Sequence, residues 1–496
     1  MAVLPTSGYV GSLTPTEEAK LQEFWTLLFT TVSSLLSAVY GVPKPEGSPN
    51  ELFKLLNNIK EPTVDGILDA LKSKPSETNG TNGASNGTNG TVAEKSLDKV
   101  ESLVKKVDGL TLLDQLSKEK VTKAHLTTLA ADLHKAGLHH AEIQAMEKIL
   151  TKMSLAEMCF ALLKMAKQEH PDTLLLRFLR ARKWDVNKAF GMMANAIYWR
   201  QSFQVDDDVV PKGELHAWEQ AHDAKLSKAE QKEGKDFIAQ LEMGKSYLHG
   251  LDRQGRPVNI VRVKLHKPGA QTAAALERYI VHVIESTRIL VAPPVETGTI
   301  LFDMTGFTLG NMEYHPVKFI IQCFEANYPE SLGLLLIHNA PWIFSGIWKI
   351  IHGWMDPVVA SKVQFTKNIN DLDKYIPREK IPKELGGDQE FTYKYIEPVA
   401  DENASMADKA AGDSAMVERM MTGLSFVAAT AAWISASAAA KKGSATEEEQ
   451  KKHLAERRDE VIERFRQSYW KLDPYVRARA LIDRRGAIKD GVVHDF

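Results

Sequence analysis

A chain of 496 residues exceeds what one hydrophobic core can organise, and at about 150 residues per domain it makes roughly three folded pieces. Charged residues are 25% and hydrophobic ones 44%, the balance of a soluble globular protein, which excludes global disorder and a membrane-embedded bundle. With 62 Lys and Arg against 64 Asp and Glu the net charge is −2, so no overall field recruits nucleic acid or an anionic membrane, and any such binding must come from a local patch.

The first element in the chain opens at Thr14-Pro15-Thr16-Glu17, a helix-start pattern. Leu21, Phe24, Trp25, Leu28 and Phe29 follow at three- and four-residue steps, so the segment to Tyr40 is predicted as an amphipathic helix. The Asn/Gly/Thr/Ser-rich run 73–96 has too little apolar surface to offset its ordering entropy and is expected to be a flexible linker. Its sequons at Asn79, Asn86 and Asn89 reflect composition: the N-terminus lacks a charged-then-apolar secretory signal, and Cys159 and Cys323, without CxxC spacing, suit the reducing cytosol.

From Leu97 to Arg200 the period is helical, and Arg177, Arg180, Arg182 and Lys183 crowd one helix end into a cationic terminus. After about Asp236 short β-branched runs alternate with helical stretches: Val258–Val263, helix Thr272–Leu290, Thr299–Phe302, helix Pro316–Asn327, Leu334–Ile337, helix Pro341–Met355 and Val363–Phe365. That alternation predicts an α/β sheet with several parallel strands. Met420–Ala440 is uncharged over a membrane-spanning length, but Ala, Ser and Thr dominate it. It is expected to pack through small residues, ahead of a charged helix near Glu447–Trp470.

Enzyme signatures fail one by one. Gly244-Lys245-Ser246 ends like a phosphate-binding loop, but Ala239 stands where the first glycine is needed. No GxGxxG follows a strand, no GxSxG elbow presents a nucleophilic serine, no HExxH places two imidazoles on one helix face, and His139-His140 has no third ligand at a sensible spacing. The informative stretch is 328–365. Between Ser331 and Met355 the only charge is Lys349, and the helix after Pro341 carries two apolar stripes: Phe344, Ile347, Trp348, Ile351 and Met355, then Ile343, Ile350 and Trp354. A helix apolar on two faces is buried all round or meets lipid. Glu330 and Lys362 flank it; a carboxylate accepts hydroxyl hydrogens and an ammonium holds a phosphate oxygen, while the plain alternative is a mutual surface ion pair.

These motifs resemble the CRAL-TRIO lipid-binding family, and within it the fungal phosphatidylinositol transfer proteins. The resemblance runs over His170–Gly387 and rests on the segments Leu175–Asp185, Asp252–Pro257, Asp303–Gly306, Tyr328-Pro329-Glu330, Asn339-Ala340-Pro341, Asp356-Pro357 and Ile381–Gly387. It implies an all-helical N-terminal lobe, then a mixed, partly parallel sheet floor with helices enclosing an apolar cavity, plus helical extensions. The expected segments are an N-terminal helical extension 1–72, the linker 73–96, a helical N-terminal domain 97–205, the lipid-binding domain 236–396 and a helical C-terminal extension 397–496.

By the same resemblance, Arg182, Lys183, Glu330 and Lys362 hold the lipid head group, while Phe302, Phe344, Ile347, Trp348, Ile351 and Met355 form the gate and cavity. Two positions depart from the family's inositol site: Ser331 replaces an arginine and Val359 a threonine. Leu248, Asn259, Gly298 and Ile300 replace the hydroxyl side chains of its choline site, which suits a different second ligand such as a sterol precursor. The resemblance further implies no catalysis and no cofactor or metal. One phospholipid is the cargo, the membrane a transient partner and nucleic acid none, in a cytoplasmic monomer that attaches to membranes peripherally. The alternative is a scaffold that senses a hydrophobic ligand and recruits partners without net transfer.

Overall fold

The computed structural model describes residues 7–40, 94–95, 97–99, 101–102, 121–440, 444–489 and 491–494; the tract 73–93 with its sequons lies outside the described residues. In chain order the helices are α1 (Pro15–Tyr40), α2 (Lys123–Lys135), α3 (His140–Leu150), α4 (Leu155–Ala166), α5 (Pro171–Ala181), α6 (Val186–Ser202), α7 (Val210–His222) and α8 (Lys228–Glu242). Then come β1 (Ser246–Leu251), β2 (Pro257–Arg262), α9 (Ala273–Leu290), β3 (Gly298–Asp303), α10 (Tyr314–Gln322), β4 (Leu332–His338), α11 (Phe344–His352), α12 (Pro357–Ser361) and β5 (Val363–Thr366). Two long helices, α13 (Lys409–Ala440) and α14 (Ala445–Val476), precede a short hairpin, β6 (Ile488–Lys489) and β7 (Val492–Val493). These elements form two compact units: Leu13–Tyr198 with Ala410–Leu472, and Met1–Ser12 with Trp199–Lys409 and Asp473–Phe496.

The helical unit draws on both ends of the chain. Thr14 and Glu17 cap α1 reciprocally, the Thr14 N–H donating to Glu17 and the Glu17 N–H to the Thr14 hydroxyl, and Leu21, Phe24, Trp25 and Leu28 are buried along one face. Asp172, at the start of α5, accepts from Trp25 Nε1 of α1 at 2.7 Å and from both Nη nitrogens of Arg458 in α14 at 2.6 and 2.8 Å. Burial, the largest single effect, would raise its carboxyl, but Arg458, His170 and Trp25 together outweigh it and hold the group below the usual carboxylate range. Among the described residues α13 is the one helix long and apolar enough to cross a membrane, and 78% of that apolar stretch is buried within the protein. Gly423 shows why small residues suit it, because a methyl group there would collide with Leu163 of α4.

The second unit is built on a five-stranded sheet in the order β1-β2-β3-β4-β5, with β1 antiparallel to β2 and every other pairing parallel. Asn259, Ile300, Leu335 and Val363 stand in one row across β2 to β5. Alternation sorts the strands: Val258, Ile260, Leu301, Leu334 and Leu336 pack with Leu372, Ile376, Ile381 and Leu385 on one face. Asn259, Val261, Ile300, Phe302, Leu335 and Ile337 face a cavity on the other. Both faces are covered, as parallel strands of this apolar composition require. The helix expected over 316–327 is α10 followed by one wider turn of π type at Cys323–Asn327, and the helix expected over 341–355 is shortened to α11. Two residues of turn, Trp342 and Ile343, separate Pro341 from the start of α11, and after a turn and a bend through Met355 the backbone is extended at Asp356, before Pro357, whose ring disfavours helix ahead of it.

Candidate functional site

The cavity, of about 210 Å³, has the sheet as its floor. Leu276, Ile280, Val283 and Ile284 of α9 and Val317, Ile320 and Ile321 of α10 form its walls, and Phe344, Trp348 and Ile351 of α11 close it, with Met355 and Val359 beyond. Of the expected gate and cavity residues, Phe302, Phe344, Trp348, Ile351 and Met355 line this space; Ile347 is buried in the adjoining core. The two stripes of α11 therefore part company. Phe344, Ile347 and Ile351 turn inward, whereas Ile350 and the preceding Trp342, 86% accessible, face outward.

Glu330 and Lys362 sit just before β4 and β5. Lys362 Nζ lies 3.0 Å from Glu330 Oε2, and both side chains are largely buried, so the two charges neutralise each other. Their neighbours Leu332 and Val359 line the cavity. Glu330 has φ +54, a left-handed conformation that costs a non-glycine residue energy and must be held by its surroundings. The hold is behind Tyr328, whose hydroxyl donates to Glu285 at 2.8 Å; Arg200 reaches the same Glu285 oxygen at 2.7 Å and grips both oxygens of Asp206. Trp199 meets the Tyr328 ring edge-on at 5.6 Å. Burial, with Glu285 beside it, pushes the Tyr328 hydroxyl well above its ordinary value, so it stays protonated as the donor.

Arg182 and Lys183 belong to the helical unit, where they are exposed at the end of α5; Arg182 is its C-cap and Lys183 has φ +51. Of the choline-site positions, Asn259 and Ile300 face the cavity, whereas Leu248 packs with Leu290, Ala480 and Ile482. Burial pushes the Cys323 thiol up to about 12, with Glu277 adding to the effect, which leaves it a core residue rather than a nucleophile. Among the described residues no group of three His, Cys, Asp or Glu side chains converges as metal ligands.

One feature of the cavity has no counterpart in the sequence reading. Lys245, Ser246, Asn259, His266, Asn311 and Glu313 put polar groups into its wall near the β1–β2 edge. They come from a stretch of 69 positions, Lys245 to Glu313, and no local spacing links them; in sequence only the Gly244-Lys245-Ser246 run and the choline-site position Asn259 pointed to any of them.

Comparisons with known proteins agree with this architecture. Residues 241–387 match the family model described as CRAL/TRIO domain, and residues 143–195 the one described as CRAL/TRIO, N-terminal domain. The chain is 34% identical over 97% of its length to phosphatidylinositol transfer protein CSR1 of Eremothecium gossypii, covering 98% of that protein. It is 39% identical over 66% of its length to a CRAL-TRIO domain-containing protein of Schizosaccharomyces pombe, covering 68% of it. Among solved structures it is similar to the crystal structure of Sfh5, with a TM-score of 0.34 and 17% identity over 46% of this chain and 77% of that one.

Proposed function

Because the chain belongs to the CRAL-TRIO family, we propose that it is a lipid-exchange protein whose cargo is one phospholipid, phosphatidylinositol. The observation that carries this reading is the apolar cavity floored by β2 to β4, with an opposite-charge pair at the mouth of β4 and β5. Each buried methylene is worth about 0.8 kcal/mol, so two long acyl chains represent on the order of 20 kcal/mol that must stay out of water in transit. The head group inserts into the Glu330–Lys362 pair: the carboxylate accepts inositol hydroxyl hydrogens and the ammonium turns to a phosphate oxygen. The full-length relative from Eremothecium gossypii, named a phosphatidylinositol transfer protein, supports the choice of lipid.

Exchange requires the cavity to open, and α11 is the gate. Its inward face, Phe344, Ile347 and Ile351, covers the acyl chains, while exposed Trp342, Ile350 and Val358 meet the bilayer when it swings outward. The turn between the gate and α12, where Asp356 caps α12 and its N–H donates to Glu325 at 2.6 Å, is the hinge. No bond is made or broken; the direction of exchange follows lipid concentrations. The protein acts from the cytoplasm and touches membranes transiently.

The test is transfer of fluorescent phosphatidylinositol between vesicles, together with mass analysis of lipid extracted from the purified protein. Trp342→Ser should slow transfer at least several-fold without changing the lipid extracted. Absence of both transfer and extractable phosphatidylinositol rejects the reading.

A further inference from the structure

We propose that the cavity carries a second polar anchor, at Lys245, which binds the carboxylate of a long-chain fatty acid lying along the sheet. This rests on the reading of the cavity as a lipid site. Lys245 is 5% exposed and immediately precedes β1. Its ammonium has three hydrogens and two acceptors among the described residues, His266 Nδ1 and Gln271 Oε1, each at 3.2 Å. His266 can accept at Nδ1 only with its proton on Nε2, which then donates to Glu313 Oε2 at 2.9 Å. The one nearby carboxylate is thus one imidazole removed, and no ion pair joins Lys245 to an acid among the described residues. Burial brings the Lys245 pKa down to about 8, with only Glu313 acting the other way, as expected for a buried cation lacking its counter-anion.

A second donor faces the same space. Asn259 Oδ1 accepts from the Ser246 hydroxyl at 2.6 Å, which leaves the Asn259 amide hydrogens for a ligand. One lysine N–H and one amide N–H match the two oxygens of a carboxylate, and a single negative charge balances a single positive one. A neutral alcohol would leave the ammonium uncompensated. A phosphate monoester would bring nearly two charges against one.

Strand order separates this anchor from the one already described. Lys245 lies at the C-terminal ends of the parallel strands on the β1–β2 edge, whereas Glu330 and Lys362 lie at the N-terminal ends on the β4–β5 edge. With about 4.8 Å between strands and about 3.3 Å per residue along them, the two corners are on the order of 20 Å apart. One head group cannot touch both.

Purified full-length protein, stripped of lipid, would be titrated with carboxyl-labelled oleate and, separately, with oleyl alcohol. The native protein should bind oleate at least about tenfold more tightly than the alcohol, with the label's resonance reporting an ionised carboxylate. Lys245→Met should weaken oleate about 10- to 100-fold and leave the alcohol within about twofold. Equal affinity for acid and alcohol, or undiminished oleate binding by the variant, overturns the proposal. Should Lys245→Met bind neither molecule, Asn259→Leu decides: oleate affinity equal to native overturns the proposal, and a severalfold selective loss upholds it. Phosphatidylinositol transfer by the native protein is read separately, so its failure with oleate selectivity intact rejects the proposed cargo and leaves this anchor standing.

Discussion

Two buried charges, Asp172 in the helical unit and Lys245 in the sheet unit, are handled in opposite ways. Asp172 is closed off by Arg458 and Trp25, side chains drawn from opposite ends of the chain, and every partner belongs to the protein. Among the described residues Lys245 has acceptors for two of its three hydrogens, and it faces the cavity. A buried charge saturated from within holds a fold together; one left incomplete beside a cavity is a place for a ligand to complete it.

The comparison can be broken from the saturated side first. Arg458→Met strands the Asp172 carboxylate in the core, and denaturant unfolding should register a loss of about 3–5 kcal/mol. Lys362→Ala sharpens the contrast: if the Glu330–Lys362 pair receives the head group as proposed, vesicle transfer of phosphatidylinositol should fall to background, while leaving Glu330 unpaired should lower stability by about 1–3 kcal/mol. Transfer at native rates would remove Lys362 from the site.

Acidification probes the surroundings of Asp172. Burial lowers the adjacent His170 to about 4, below its ordinary 6.5, and its neutral Nδ1 accepts from the Asp172 N–H. Between those values the unfolded chain binds a proton that the folded one refuses, so stability should decline as pH falls from 6.5 toward 4. The midpoint of urea unfolding at pH 7 and pH 5 measures it, and His170→Gln should flatten the difference. The smallest effect is expected at Cys323, where a thiol pushed to about 12 should resist iodoacetamide at pH 8 under native conditions, as peptide mass analysis after labelling would record.

Much of the fold was legible because it is written in local periodicity. The Thr14–Glu17 cap, the buried face Leu21, Phe24, Trp25 and Leu28, and the strand-helix alternation after Asp236 all follow from side-chain spacing. The helix proposed as the gate was visible as an apolar stretch with Lys349 its only charge, but spacing could not say which of its two apolar stripes turns inward, since Phe344 and Ile350 are equally hydrophobic. That choice depends on what lies opposite. The pairing of Glu330 with Lys362 was one of two alternatives that chemistry left open, and only the adjacency of β4 and β5 brings the side chains within 3.0 Å.

By itself, the order of amino acids determined the elements, their apolar faces, the turn and cap residues, and the motifs that mark the family, because each depends on neighbours within a few positions. Tertiary structure decided that Asp172 meets Arg458 across 286 residues, that Lys245 meets His266 and through it Glu313, and that one face of the sheet is sealed while the other stays hollow. Those outcomes hang on chain crossovers and on which surfaces exclude water together, and a desolvated charge acquires its meaning only from the groups that surround it in space.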